Sequence, residues 1–133
     1  MSDYKSKFME VIFHQDKQTV EFNWFKETVE LTDDDFRQEL SQQMKSVSEH
    51  KPQNVLINTT AFIFPISPET QGWVDETVYP SWATNGVTKM GFLMSPEMVS
   101  QLSIQQAVDE NSQVELKSGF FETKEQAFEW FQS

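Results

Sequence analysis

Residues 58–82 constrain this chain more than any other stretch. The run Asn58-Thr59-Thr60-Ala61-Phe62-Ile63-Phe64-Pro65-Ile66-Ser67-Pro68-Glu69 leads from an apolar strand into a helix that carries Trp73, Tyr79 and Trp82. Connections between strand and helix are ordinarily short and polar. This one is long, apolar and aromatic. Full burial of Phe62, Ile63, Phe64 and Ile66 would stabilise by roughly 1.5–3 kcal/mol each. Their sum rivals the net stability of a small domain, about 5–15 kcal/mol. The loop must therefore fold back on a core, line a pocket or meet a partner.

A core is within reach of this composition. The chain has 133 residues, twelve Phe and four Trp, with only four Gly and five Pro. That length suits one domain covering residues 1–133. Order is expected everywhere but the first few residues and the last two. With no Cys, disulfides, thiol nucleophiles and cysteine-based metal sites are excluded. The N-terminal Met1-Ser2-Asp3-Tyr4-Lys5 lacks the apolar centre of a signal peptide, and the longest apolar run, residues 61–66, is far too short to span a bilayer. A cytoplasmic location without membrane insertion is the expectation. The net charge of −11 repels nucleic acid backbones and anionic lipid. It serves solubility, or a basic protein partner.

The pattern along the chain alternates strands and helices. Residues 8–14 and 19–25 read as a hairpin around Gln15-Asp16-Lys17-Gln18, with Val20, Phe22 and Trp24 on a buried face and Glu21 and Asn23 on the other. Thr32 caps a helix whose first turn, Asp33-Asp34-Asp35, complements the helix dipole, and Phe36, Leu40, Met44 and Val47 form its apolar stripe up to His50. Val55-Leu56-Ile57 and residues 90–94 read as central strands covered on both faces. Ser67 and Pro68 start a second helix at the cap and first position. Trp73, Val74 and Val78 point inward, Pro80 kinks or divides the helix, and Asn85-Gly86 stops it. Ser95-Pro96 opens a third helical segment with a capping box at Ser103-Ile104-Gln105-Gln106. Residues 114–121 form the last strand, and Thr123-Lys124-Glu125-Gln126 caps a final helix with Ala127, Phe128 and Phe131 inward. The order ββαβαβαβα predicts an α/β fold, a mixed, mostly parallel sheet flanked by helices.

Catalytic patterns are absent. His14 and His50, the two histidines, sit at a strand end and a helix C-terminus, and neither has metal-ligand spacing. Gly72, Gly86, Gly91 and Gly119 are scattered, so no phosphate cradle can be drawn. Asp75 and Glu76 are helix neighbours pointing about 100° apart and share no face. No cofactor or metal is expected, and the chain does not read as an enzyme. Thr59, Thr60 and Ser67 lie at the C-terminal edge of a central strand, where open α/β sheets bind ligands. A helix N-terminus also favours anions, although capping alone accounts for Ser67.

The hairpin, Val55-Leu56-Ile57-Asn58, the loop Phe62-Ile63-Phe64-Pro65-Ile66-Ser67-Pro68 and Gln71-Gly72-Trp73 resemble SpoIIAA-like proteins, small bacterial relatives of STAS domains and anti-sigma-factor antagonists. Leu102-Ser103-Ile104-Gln105-Gln106 and Glu125-Gln126-Ala127-Phe128-Glu129-Trp130 are similar to that group as well. The resemblance covers nearly the whole chain and implies a non-catalytic regulatory module. It makes Ser67 the candidate phosphoacceptor, although Ile66-Ser67-Pro68-Glu69 departs from the family's Asp-Ser-Ser-Gly-like context. Distant members of the fold bind lipids.

Two functions follow as expectations. In the first, the loop 59–68 and the helix after it dock a protein partner or a second copy through Phe62, Phe64, Ile66, Trp73, Tyr79 and Trp82. In the second, those side chains line a pocket for a small apolar, lipid-like molecule.

Overall fold

Strand order explains most of how this chain is built. In the computed structural model, which describes residues 3–64, 66–94 and 117–132, six strands form one mixed sheet in the order β1 to β6 without reversal. They are β1 (Tyr4–Lys5), β2 (Met9–His14), β3 (Thr19–Trp24), β4 (Asn54–Asn58), β5 (Lys89–Leu93) and β6 (Lys117–Phe121). The first three pair antiparallel, and β3 to β6 run parallel. The chain is thus α/β, as the alternation predicted. The two-residue strand β1 was not foreseen: residues read as a loose terminus instead pair Tyr4 with Val11 and Lys5 with Glu10. The helical segment expected after Ser95, its capping box at Ser103 and the start of the last strand at residues 114–116 lie outside the described residues.

Helix α1 (Asp33–His50) begins with a complete capping box between Thr32 and Asp35. Between β4 and β5 the chain runs through α2 (Pro68–Trp73), a π turn (Val74–Val78) and α3 (Tyr79–Thr84) with no break. Pro80 is accommodated rather than breaking the rod. Proline has no N–H for an i→i−4 bond and its ring crowds that carbonyl. One wide turn just before it, where Tyr79 N–H bonds Val74 O, opens the helix at this point. Gly86, at φ +102°, then reverses the chain in a conformation that favours glycine.

Helices α1 and α3 touch and share one core, as right-handed crossovers between consecutive parallel strands require. That core contains Val11, Val20, Phe22, Trp24, Val55 and Ile57 from the sheet, with Phe36, Leu40, Val47, Val74, Val78 and Trp82 from the helices. On the opposite face a smaller cluster joins Leu56 and Leu93 of the sheet to Ala127 and Phe131 of α4 (Lys124–Phe131). Gly91 and Gly119 pair across β5 and β6 on that face. A Cβ at Gly91 would sit 3.1 Å from Phe131, and one at Gly119 2.8 Å from Phe121 and 3.4 Å from Trp130. The missing side chains let the aromatic rings approach the sheet.

Candidate functional site

The loop after β4 is pinned along its length. Thr59 N–H and Oγ1 both donate to Leu93 O, at 3.0 and 2.7 Å. Asn58 Oδ1 accepts from Thr60 N–H and Oγ1, an Asx turn that a short polar side chain supplies locally. Further on, Ile63 N–H donates to Thr28 Oγ1 at 2.9 Å. Thr28 is wholly buried in the 3₁₀ turn Lys26–Glu30 that follows β3. The loop and this turn thus form one connected rim at the C-terminal end of the sheet.

The aromatics of the loop turn mostly inward. Phe62 lies 5.1 Å from Trp24 and 6.0 Å from Phe36, and Phe64 lies 5.2 Å from Phe36 (ring centroids). Phe62, Phe64, Ile66, Trp73 and Tyr79 are partly buried against the main core. Arg37 sits 5.2 Å above the Trp73 ring. Trp82 belongs to the core outright, 1% exposed and stacked near Phe22 at 5.9 Å. It has no surface to offer a partner. Its indole N–H finds no acceptor among the described residues, an omission that costs about 1–3 kcal/mol. Burial, reinforced by the Asp75 carboxylate and opposed by the Gln71 amide, pushes the Tyr79 hydroxyl up to about 12. That phenol stays protonated at neutral pH.

Four of the six predicted residues do meet around a void. Phe62, Ile66, Tyr79 and Trp82, with Trp24, Phe36, Gln43, Val78 and Phe92 among their neighbours, line a half-open space of about 90 Å³. Ligand pockets run to about 300–1,000 Å³, and an engineered cavity that admits benzene measures about 150 Å³. As it stands, the space is a packing void. Ser67 caps α2, accepting from Thr70 N–H at 3.2 Å while donating to Thr70 Oγ1 at 3.0 Å. Among the described residues the strand order also shows no reversal at this edge, and it is at such a reversal that α/β sheets open a ligand crevice.

What sequence reasoning missed lies on the outside of the rim. The exposed large apolar residues among those described are Val29, 65% accessible, and Ile63, 55%. They stand on the two segments that the Ile63–Thr28 bond ties together. Close to them along the chain, Lys26, Glu27 and Ala61, together with Lys5, Ser6, Lys7, Trp24 and Phe25, line an open cleft of about 610 Å³. Val29 sits in a short turn with no periodicity, so nothing in the sequence marked it.

A second polar cluster is structural in form. Glu21, expected on a solvated face, is 1% exposed. Its carboxylate accepts from Lys124 Nζ at 2.6 Å and Asn23 Nδ2 at 2.8 Å, and His14 Nε2 lies 2.8 Å away. Burial raises its pKa, but the hydrogen bonds from Lys124, His14 and Asn23 outweigh that and hold it below its ordinary value. Every carboxylate oxygen is occupied, which suits a fastener for α4 better than a proton carrier. Among the described residues, no three acids or histidines gather as a metal ion would need, and no helix is long and apolar enough to cross a membrane. Compared with known proteins, the chain matches no family model, no curated protein and no solved structure.

Proposed function

We propose that this protein is a non-catalytic, SpoIIAA-like regulatory module of the cytoplasm that docks a protein partner or a second copy through the rim at the C-terminal end of its sheet. The observation that carries this reading is the pair Val29 and Ile63, exposed on two segments joined by a 2.9 Å hydrogen bond. A face held in place before binding loses little conformational entropy when it docks. The loop aromatics support that face from beneath and do not themselves make the contact. Their side chains fill the gap between α1 and the sheet and so fix where Ile63 stands. The lipid-like ligand ranks second, because the void under the loop is too small without repacking.

The test places a photocrosslinking amino acid at position 63 and, as a control, at Lys45 on the exposed side of α1. Adducts in cells at position 63, absent at position 45 and lost when Val29→Ser is added, support the docking face. Equal labelling at both positions, or none at 63, rejects it. Native mass spectrometry of the untagged protein separates a second copy, which doubles the mass, from a small copurifying molecule.

A further inference from the structure

The cleft beside Val29 and Ile63 reverses the charge of the molecule. Lys5, Lys7 and Lys26 line it, three of only ten Lys and Arg residues in a chain with a net charge of −11. Each is exposed, so each can meet an incoming charge without first leaving a buried site. Glu27 lines the same cleft, and Lys7 pairs with Glu30 at 3.1 Å. Both members of that pair are 57% exposed, and a surface pair of this kind is weak enough to open for a competing carboxylate. The apolar part of the cleft comes from Trp24, Phe25 and Ala61. Chain continuity joins it to the docking face, since Lys26 and Val29 share one turn and Ala61 and Ile63 one loop.

We infer that this cleft takes an acidic segment of a partner protein, with one apolar side chain seated against the Val29–Ile63 ridge and carboxylates meeting Lys5, Lys7 and Lys26. The inference rests on the docking role proposed above and adds the chemistry of the partner. Charge complementarity carries it. Elsewhere the acidic surface repels such a segment. At physiological ionic strength charges are screened beyond about 8 Å, so at the cleft the local balance counts, and there Lys5, Lys7 and Lys26 outnumber Glu27 and Glu30. The net negative charge of the rest of the molecule then helps to orient an acidic partner toward the cleft. A small anion would use the lysines but leave Val29 and Ile63 uncovered, which is why a peptide segment fits better.

A displayed library of random peptides, selected on the full chain, tests this. Selected sequences should combine Asp or Glu with a large apolar residue. The triple substitution Lys5→Ser, Lys7→Ser, Lys26→Ser, made at exposed positions and checked for an unchanged circular dichroism spectrum, should weaken their binding about tenfold, as the loss of three rim charges implies. Ile63→Ser should weaken it as well. Apolar peptides lacking acids, sensitive to Ile63→Ser but not to the lysine changes, would leave the docking face and overturn the acidic partner. Enrichment of basic peptides would overturn it too. If nothing selected responds to Ile63→Ser, the docking face itself fails. Should the native protein form a dimer that the lysine changes dissolve, the occupant is a second copy and the inference falls.

Discussion

The two faces of the sheet solve the same problem in opposite ways. One is covered by α1 and the α2–α3 rod around sixteen buried apolar residues, with Glu39, Gln43 and Ser46 of α1 and Thr70 of α2 buried among them. The other is covered by α4, eight residues long, whose Ala127 and Phe131 close over Leu56 and Leu93 beside a buried carboxylate. The first face is held by area and the second by a few specific bonds. Burial is non-directional and tolerant of small shifts, whereas a buried ion cluster is stable only when each member is present.

The largest expected effect lies on the apolar face. Phe22→Ala removes a wholly buried ring and should cost about 3–5 kcal/mol, read from urea unfolding. A loss under about 1 kcal/mol would show that this face is not the main store of stability. On the other face the order of effects should follow solvation. Lys124→Ala strips the strongest partner from a carboxylate that is 2% exposed, and should cost up to about 3–5 kcal/mol. Glu21→Leu instead leaves behind a lysine side chain that is 45% exposed and recovers its water, so it should be close to neutral. If the two substitutions prove equally costly, the cluster is not governed by desolvation.

Acid sharpens the same contrast. The pKa of Glu21 is depressed in the folded state. Its contribution is therefore present above the unfolded value and is lost as pH falls through the folded one. Melting temperature should drop below about pH 4.3, and Glu21→Gln should flatten part of that limb. Phe22→Ala should lower the whole curve without changing its shape. An unaltered acid limb in Glu21→Gln would assign the loss to other carboxylates.

This contrast also explains which parts of the molecule were legible beforehand. Period-two alternation assigned Val20, Phe22 and Trp24 to the core, and all three are there. The same alternation placed Glu21 in water, because period alone cannot tell an outer face from one covered by a helix more than a hundred residues away. The spacing in α1 predicts one apolar stripe, yet Glu39, Gln43 and Ser46 are buried as well. Glu39 accepts from Tyr4 Oη at 2.7 Å and from Ser6 Oγ, both on the edge segment that was expected to be loose. Local signals fared better where the cause was local: the caps at Thr32, Ser67 and Thr123 all form. The composition of the aromatic loop shows that it needs cover, but the residue left outside, Ile63, is set by the bond to Thr28, which only the folded chain reveals.

A further prediction compares the fit of the two covers. Gly91→Ala would put a Cβ 3.1 Å from the Phe131 ring. The ring is terminal and α4 short, so the helix can retreat by a few tenths of an ångström. The expected cost is about 1–2 kcal/mol, toward the lower end of overpacking, concentrated in α4. Hydrogen exchange should show faster opening at residues 124–131 while α1 keeps its protection. Equal acceleration in both would mean that the faces unfold as one unit.

The smallest expected effect has the opposite sign. The void of about 90 Å³ beneath the loop touches Val78, which is 1% exposed and follows directly on the π turn's other residues. Val78→Ile adds one methylene to an already β-branched helical side chain, with little new rotamer cost. If the added carbon enters the void, stability should rise by about 0.5–1 kcal/mol. Burying one more methylene is worth about 0.8 kcal/mol, so a full gain and a clean fit amount to the same statement. The crosslinking yield at position 63 should stay unchanged, because the substitution fills space behind the loop and leaves its hydrogen bonds intact. A loss of stability would mean that the π turn already holds Val78 against its neighbours. A gain in stability with lost crosslinking would show that the docking face needs the slack beneath it, and the loose packing at this edge would then belong to function.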